Sequence, residues 1–144
     1  MTYTLPLILL ELESESYHLT IESVFEDGSV HTWIIDTGAS KTVFDVTLTT
    51  CYSNLDTPPD ETIQSAGIGA DRLNATLGKL QPFGLGSLWV DSMPVALIDL
   101  THINALYWEV AEKQICGLIG SDFLLKYGAM IDYRKMEMVL EIPG

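Results

Sequence analysis

The sequence predicts a mostly β fold carrying one or two short helices. Three observations lead there: apolar segments of strand length alternate with Gly, Pro, Asn and Asp turn signals, only one stretch keeps helical spacing, and 47% hydrophobic against 19% charged residues is a globular composition. With 144 residues, the chain fits a single domain over 1–144 with enough material for one core. It contains no repeat, low-complexity tract or linker.

Thr4 to Leu12 and Tyr17 to Phe25 read as the first two strands, and Asp27-Gly28 turns the chain into a third, Val30 to Ile35. Thr42-Val43-Phe44 is a further short apolar segment. The polar stretch from Thr47 to Asp60, with Pro58-Pro59 inside it, reads as a surface connection. Thr62 to Leu80, centred on Gly67-Ile68-Gly69, reads as a long hairpin with a flexible tip. Ser87 to Val90 and Val95 to Leu100 are two more strands.

Ile103, Leu106, Tyr107 and Val110 share one helical face at spacing i, i+3, i+4, i+7, so a helix is expected from near Thr101 with that face packed on the core. Ile115 to Gly120 is a buried strand ending in glycine. Ser121 is placed to cap a short helix, Asp122 to Tyr127, which Gly128 ends in the left-handed conformation. Ala129 to Tyr133 and Met136 to Ile142 close the chain as a hairpin across Arg134-Lys135.

Seven Lys and Arg stand against twenty Asp and Glu, a formal charge of -13. Such a field repels phosphate backbones and anionic membranes, so nucleic acid and membrane partners are not expected, while basic or neutral peptides approach freely. The same charge also serves plain solubility. Leu5 to Leu10 is apolar but too short to span a bilayer and has no basic segment before it, and a cytoplasmic protein is expected. Cys51 and Cys116 match no metal or redox spacing and read as reduced, partly buried thiols. His18, His31 and His102 are scattered, so neither metal nor cofactor is expected.

The chemistry-bearing feature is Asp36-Thr37-Gly38-Ala39-Ser40, directly after the apolar run Trp33-Ile34-Ile35. A carboxylate delivered by a buried strand into a tight glycine turn is costly unless it is paired or protonated, and catalysis is a sufficient reason to keep it. With the preceding strand, the glycine-tipped segment at Gly67 to Gly69 and an apolar-apolar-Gly strand followed by a helix, the chain resembles the retropepsin-like aspartic proteases from about Val30 to Leu140. It is most similar to the cellular and bacterial members related to the DNA-damage-inducible type, whose second signature reads like Gly117-Leu118-Ile119-Gly120-Ser121-Asp122-Phe123-Leu124 here.

The resemblance implies a closed acid-protease β-barrel as a single-lobe protomer. It implies Asp36 as the catalytic carboxylate, Thr37 as the residue whose hydroxyl holds the turn to a partner subunit, and Gly38 as the point of close backbone approach. Ala39 and Ser40 complete the turn beside the substrate, and Gly67, Ile68 and Gly69 form the flap tip over it. Leu118, Ile119 and Gly120 form the strand beside the active-site loop. Two departures from the retroviral pattern stand out. Ser121 occupies the position of an arginine that supports the dimer, with Asp122 as a partial substitute, and Asp99 to Gln114 is long enough for a helical insertion that modifies the flap or groove.

Chemistry independently requires a shared site. Peptide hydrolysis without a metal or covalent intermediate needs one carboxylate to take a proton from water while another gives one to the departing group. The chain holds a single Asp-Thr-Gly triplet and is too short for two lobes, so the second Asp36 is expected from another copy in a twofold homodimer acting on a polypeptide substrate. Two other readings use the same residues: a catalytically inactive peptide-binding or scaffolding module on this fold, and a structural barrel in which Asp36 to Gly38 is only a turn.

Overall fold

The computed structural model describes residues 1–55 and 76–142. In chain order the strands before the first helix are β1 (Thr2–Pro6), β2 (Ile8–Glu13), β3 (Ser16–Phe25), β4 (Val30–Ile35), β5 (Val43–Asp45), β6 (Tyr52–Asn54), β7 (Thr76–Leu80), β8 (Phe83–Leu85), β9 (Leu88–Val90) and β10 (Met93–Ile98). Helix α1 (Thr101–Ala111), β11 (Ile115–Ile119), helix α2 (Ser121–Lys126), β12 (Met130–Asp132) and β13 (Glu137–Glu141) follow. The mostly β expectation holds.

Two sheets result. A 3-stranded sheet has the order β1-β13-β12, and a 10-stranded sheet runs β6-β7-β10-β5-β11-β4-β3-β8-β9, with β2 added on β3. The stretch expected as one strand over Thr4 to Leu12 is therefore two strands in two sheets. Pro6 has no N–H for a continued ladder, and Leu7 is buried with its N–H donated to the Met136 carbonyl at 2.9 Å, so the chain turns from one sheet into the other at this point.

Other differences concern short strands. Tyr52–Asn54 lies inside the segment expected as a surface connection, yet it pairs antiparallel with β7 as an edge strand. Phe83–Leu85 pairs with β3 and β9, although Gly84 breaks its apolar pattern. Pro94 is accommodated in β10 because residues 93–95 pair only with β7; β5 joins from Ala96 onward. Of the expected Thr62 to Leu80 hairpin, Thr76–Leu80 is β7. Its tip, Gly67-Ile68-Gly69, lies outside the described residues.

Aromatic packing centres the core. Trp33 is fully buried, stacks on Phe83 with 5.7 Å between ring centroids, packs against Phe44, and donates its indole N–H to Ser23 Oγ at 2.8 Å. The polar end of the ring is thereby satisfied without water. Gly117 fits where nothing larger would: a Cβ there would stand 2.0 Å from the Val43 carbonyl oxygen and 2.9 Å from the Trp33 ring. The core thus reaches directly into the strand that carries the second signature.

Helix α1 starts and ends near its expected limits, with Asp99 Oδ1 accepting the Thr101 N–H at 2.9 Å and Glu112 ending the helix in the left-handed region at φ 53°. Its expected apolar face is corrected, because no residue of α1 is buried. The side chain of Asn104 donates to the Ile115 carbonyl at 3.0 Å and accepts the Ile115 N–H at 2.6 Å. That anchor turns Asn104, Tyr107 and Ala111 inward and leaves Leu106, Trp108 and Val110 exposed. In α2, Gly120 rather than Ser121 occupies the N-cap position, and Gly128 follows at φ 52°, as expected.

Candidate active site

Strand β11 lies between β4 and β5, parallel to the first and antiparallel to the second. The chain leaving β4 must therefore step across the end of β11 to reach β5. The step is the segment 36–42. Asp36 donates its N–H to the Ile119 carbonyl at 2.9 Å, and Ser121 donates its N–H to the Ala39 carbonyl at 2.7 Å, so the turn is fastened to β11 and to the start of α2. Gly120 permits this closeness: a Cβ there would sit 2.7 Å from the Ala39 oxygen and 2.8 Å from the Lys41 carbonyl carbon.

Within the turn, Asp36 Oδ1 accepts the Gly38 N–H at 3.0 Å and the Asp36 carbonyl accepts the Ala39 N–H at 3.2 Å. Asp36 is half-buried, Thr37 and Gly38 are exposed, and Ala39 is buried. Ser40 is exposed, with its carbonyl in a long 3.5 Å contact with Ser121 Oγ. Ala39 and Ser40, expected beside the substrate, are thus tied to the start of α2 through their carbonyls. The second signature divides its work: Leu118 is half-buried and open to a cavity, Ile119 is buried and receives Asp36, and Gly120 gives room to the turn.

A clamp fixes the far end of the turn. Asp122 Oδ1 accepts the Thr42 N–H at 3.0 Å, the Thr42 hydroxyl at 2.7 Å and the Phe123 N–H at 2.9 Å. Thr42 Oγ1 in turn accepts the Gly120 N–H at 3.1 Å, and Thr42 is 1% exposed. A carboxylate accepting several donors in a partly buried position makes strong, short-range bonds. Asp122 thus joins α2 to the turn within one chain.

Among the described residues, one cavity opens beside Asp36 and another beside Thr37. The larger, about 500 Å³, is bounded by Asp36, Ile34, Val43, Ile115 and Leu118 on the sheet side and by Ile103 and Tyr107 of α1 on the other. His18, Asp99 and His102 supply polar atoms to it. His18 meets Tyr107 edge-on, with 6.3 Å between ring centroids. Burial raises the Tyr107 phenol pKa, and the nearby Asp36 carboxylate raises it further. The second hollow, about 320 Å³, is shallower and lies on the α2 side, lined by Thr37, Ser121, Leu124, Leu125, Ala129 and Ile131 among others. Leu125 is 85% exposed.

Among the described residues, no three His, Cys, Asp or Glu side chains group as metal ligands. Cys51 and Cys116 are both buried thiols, and burial raises the pKa of each. Among the described residues no helix is long and apolar enough to cross a membrane.

The chain matches the aspartyl protease family over residues 22–123 and belongs to it. Among solved structures, it is similar to a retropepsin-like aspartic protease from Rickettsia conorii. That match has a TM-score of 0.50 at 14% identity and covers 97% of this chain and 92% of the other. At that identity the likeness establishes the retropepsin-like fold. No curated protein matches the chain.

The turn, its supporting strand and a helical insertion near the groove were legible in the sequence, whereas His18 as a wall of the cavity was not. Tyr107 was visible only as part of an apolar face, and His18 carried no local signal because β3 approaches the site through sheet pairing alone.

Proposed function

We propose that this chain is an aspartic endopeptidase that works as a twofold homodimer, with Asp36 of each copy forming a proton-sharing pair that activates water against a peptide carbonyl. The observation that carries the reading is the Asp36 turn itself: a half-buried carboxylate held by Gly38, fastened through Ile119, and presented beside an open cavity. One carboxylate removes a proton from water and the other protonates the departing amine, so one chain supplies half the chemistry. Thr37 is exposed beside the hollow that includes Leu125, and this apolar face is where the second copy would sit. An extended polypeptide would cross the pair with its backbone along strand edges and its side chains in alternate pockets. The flap role of Gly67, Ile68 and Gly69 belongs to the same proposal.

The test joins activity with mass. Asp36→Asn should reduce peptide cleavage by at least about 1,000-fold, as expected for loss of a group that moves protons in the reaction. The parent chain should sediment as a dimer at concentrations where it cleaves, and specific activity should fall on dilution. Undiminished cleavage by Asp36→Asn, or full activity in a sedimenting monomer, would overturn the proposal.

A further inference from the structure

We propose that the hollow between Lys41 and the end of α2 is a recognition site for a carboxylate on a polypeptide, an acidic side chain seated among lysine ammoniums. It is separate from the cavity beside Asp36 and goes beyond the endopeptidase reading, which its test leaves untouched. Lys41 at the end of the Asp36 turn, Met93 and Pro94 of β10, and Asp122, Lys126 and Tyr127 at α2 bound a space of about 180 Å³. That is below the usual range for small-ligand pockets, roughly 300–1,000 Å³, and suits one side chain.

Charge selects the occupant. The chain carries seven Lys and Arg against twenty Asp and Glu, yet two of the seven line this hollow and a third stands next to it. Lys79 of β7 is the antiparallel partner of Pro94, and residues directly opposite in such a pair share a face with Cβ atoms about 5 Å apart. Lys126 holds its ammonium 5.4 Å from the centre of the Tyr127 ring, which itself packs on Phe123 with 4.7 Å between ring centroids. The carboxylate at the wall, Asp122, has its Oδ1 engaged by Thr42 and by the Phe123 N–H. Three ammoniums against one carboxylate leave a local positive charge in an acidic protein, which draws an anion to this place.

The walls narrow the anion to a carboxylate on a short apolar stem. Met93, Pro94 and Phe123 offer apolar surface to methylenes, while the lysines meet the head as point charges. Lys41 is half-buried and adjoins Thr42, which Asp122 holds through both N–H and hydroxyl, so its stem starts from a fixed backbone. A polyanion fits poorly, because beyond the hollow it meets the field of a chain at -13. A single Glu or Asp in a neutral or basic segment brings one negative charge to the place that accepts it.

The experiment titrates the full chain, carrying Asp36→Asn so that no peptide is cut, with a short peptide holding one Glu between neutral residues and with its Gln counterpart. NMR follows the backbone amides and the lysine side chains. The Glu peptide should bind saturably, with shifts concentrated at Lys41, Thr42, Lys126 and Tyr127, and about 10-fold more tightly than the Gln peptide, the scale of a few partly exposed charge pairs. Lys41→Gln combined with Lys126→Gln should remove that difference without lowering the melting temperature appreciably, and high salt should weaken it. If the double variant does not fold, Lys126→Gln alone, at an exposed position, should still reduce the preference by about 3-fold. Equal binding of the two peptides, or a Glu preference untouched by the lysine changes, would overturn the site. Inorganic phosphate binding at Lys41 and Lys126 more tightly than the Glu peptide would overturn a polypeptide carboxylate as its occupant. None of these outcomes bears on Asp36, whose role is read from cleavage.

Discussion

The Asp36 turn stands between two helices that are built differently. Helix α2 has six residues, buries Phe123, and is joined to the turn by Asp122 through both the N–H and the hydroxyl of Thr42. Helix α1 has eleven residues, buries none, and is held mainly by Asn104 on Ile115 and by Tyr107 against a small apolar cluster. The shorter helix is therefore the better fixed. Length adds little to a helix in a folded protein unless one of its faces is buried. The difference also divides their roles: α2 supports the position of Asp36, while α1 bounds space beside it.

The largest effect should come from breaking the α2 side at its tightest point. Gly120→Ala places a Cβ within 2.7 Å of the Ala39 carbonyl oxygen and 2.8 Å of the Lys41 carbonyl carbon, both backbone atoms with little freedom to yield. We expect a loss of more than about 3 kcal/mol, which for a domain of this size lowers Tm by well over 5 °C or prevents folding. A melting curve within 2 °C of the parent, an allowance set by the same scale, would show that turn and helix separate easily.

Next is the clamp. Asp122→Ala removes the acceptor of three hydrogen bonds and leaves the Thr42 N–H and hydroxyl to find other partners in a buried setting, at a cost of about 2–4 kcal/mol. Asp122→Asn retains an acceptor oxygen and should recover roughly half of that. On the α1 side, Asn104→Ala removes two hydrogen bonds rather than three, both to the backbone of Ile115, and about 1–2 kcal/mol is expected. Urea unfolding of the three variants ranks them. Asn104→Ala more damaging than Asp122→Ala would reverse the comparison of the two helices.

The same contrast explains what the sequence made legible. Strand-helix order around the site was readable because Trp33 to Ile35 and Ile115 to Ile119 are continuous apolar runs ending at Asp36 and Gly120, and both are buried strands in the structure. Asp122 stood out because it adjoins the glycine signature, although its acceptance from Thr42 depends on a contact across 80 positions. The face of α1 was misread for a physical reason: apolar spacing identifies a helix, but a single amide pair at Asn104 decided its rotation. Strands β6 and β8 escaped notice because pairing, not composition, makes Tyr-Ser-Asn and Phe-Gly-Leu extended.

The smallest effect measures how close α1 stands to the Asp36 carboxylate. Burial is the larger cause of the raised Tyr107 phenol pKa, and the negative charge of Asp36 is the second, so the two are separable by changing one charge without moving the ring. In Asp36→Asn the Tyr107 phenol should titrate lower than in the parent while remaining above an ordinary phenol, since burial persists. Tyrosine ring-carbon NMR, with Tyr107→Phe to assign the resonance, provides the reading. The linked stability has a definite sign: a phenol whose folded pKa is raised contributes stability fully below the unfolded value of about 10 and loses it as pH rises through the folded value. Asp36→Asn should therefore lessen the fall in stability over that alkaline range. An unchanged Tyr107 titration would mean that the ring and the carboxylate do not share the cavity electrostatically, and α1 would then be a neighbour of the site rather than one of its walls.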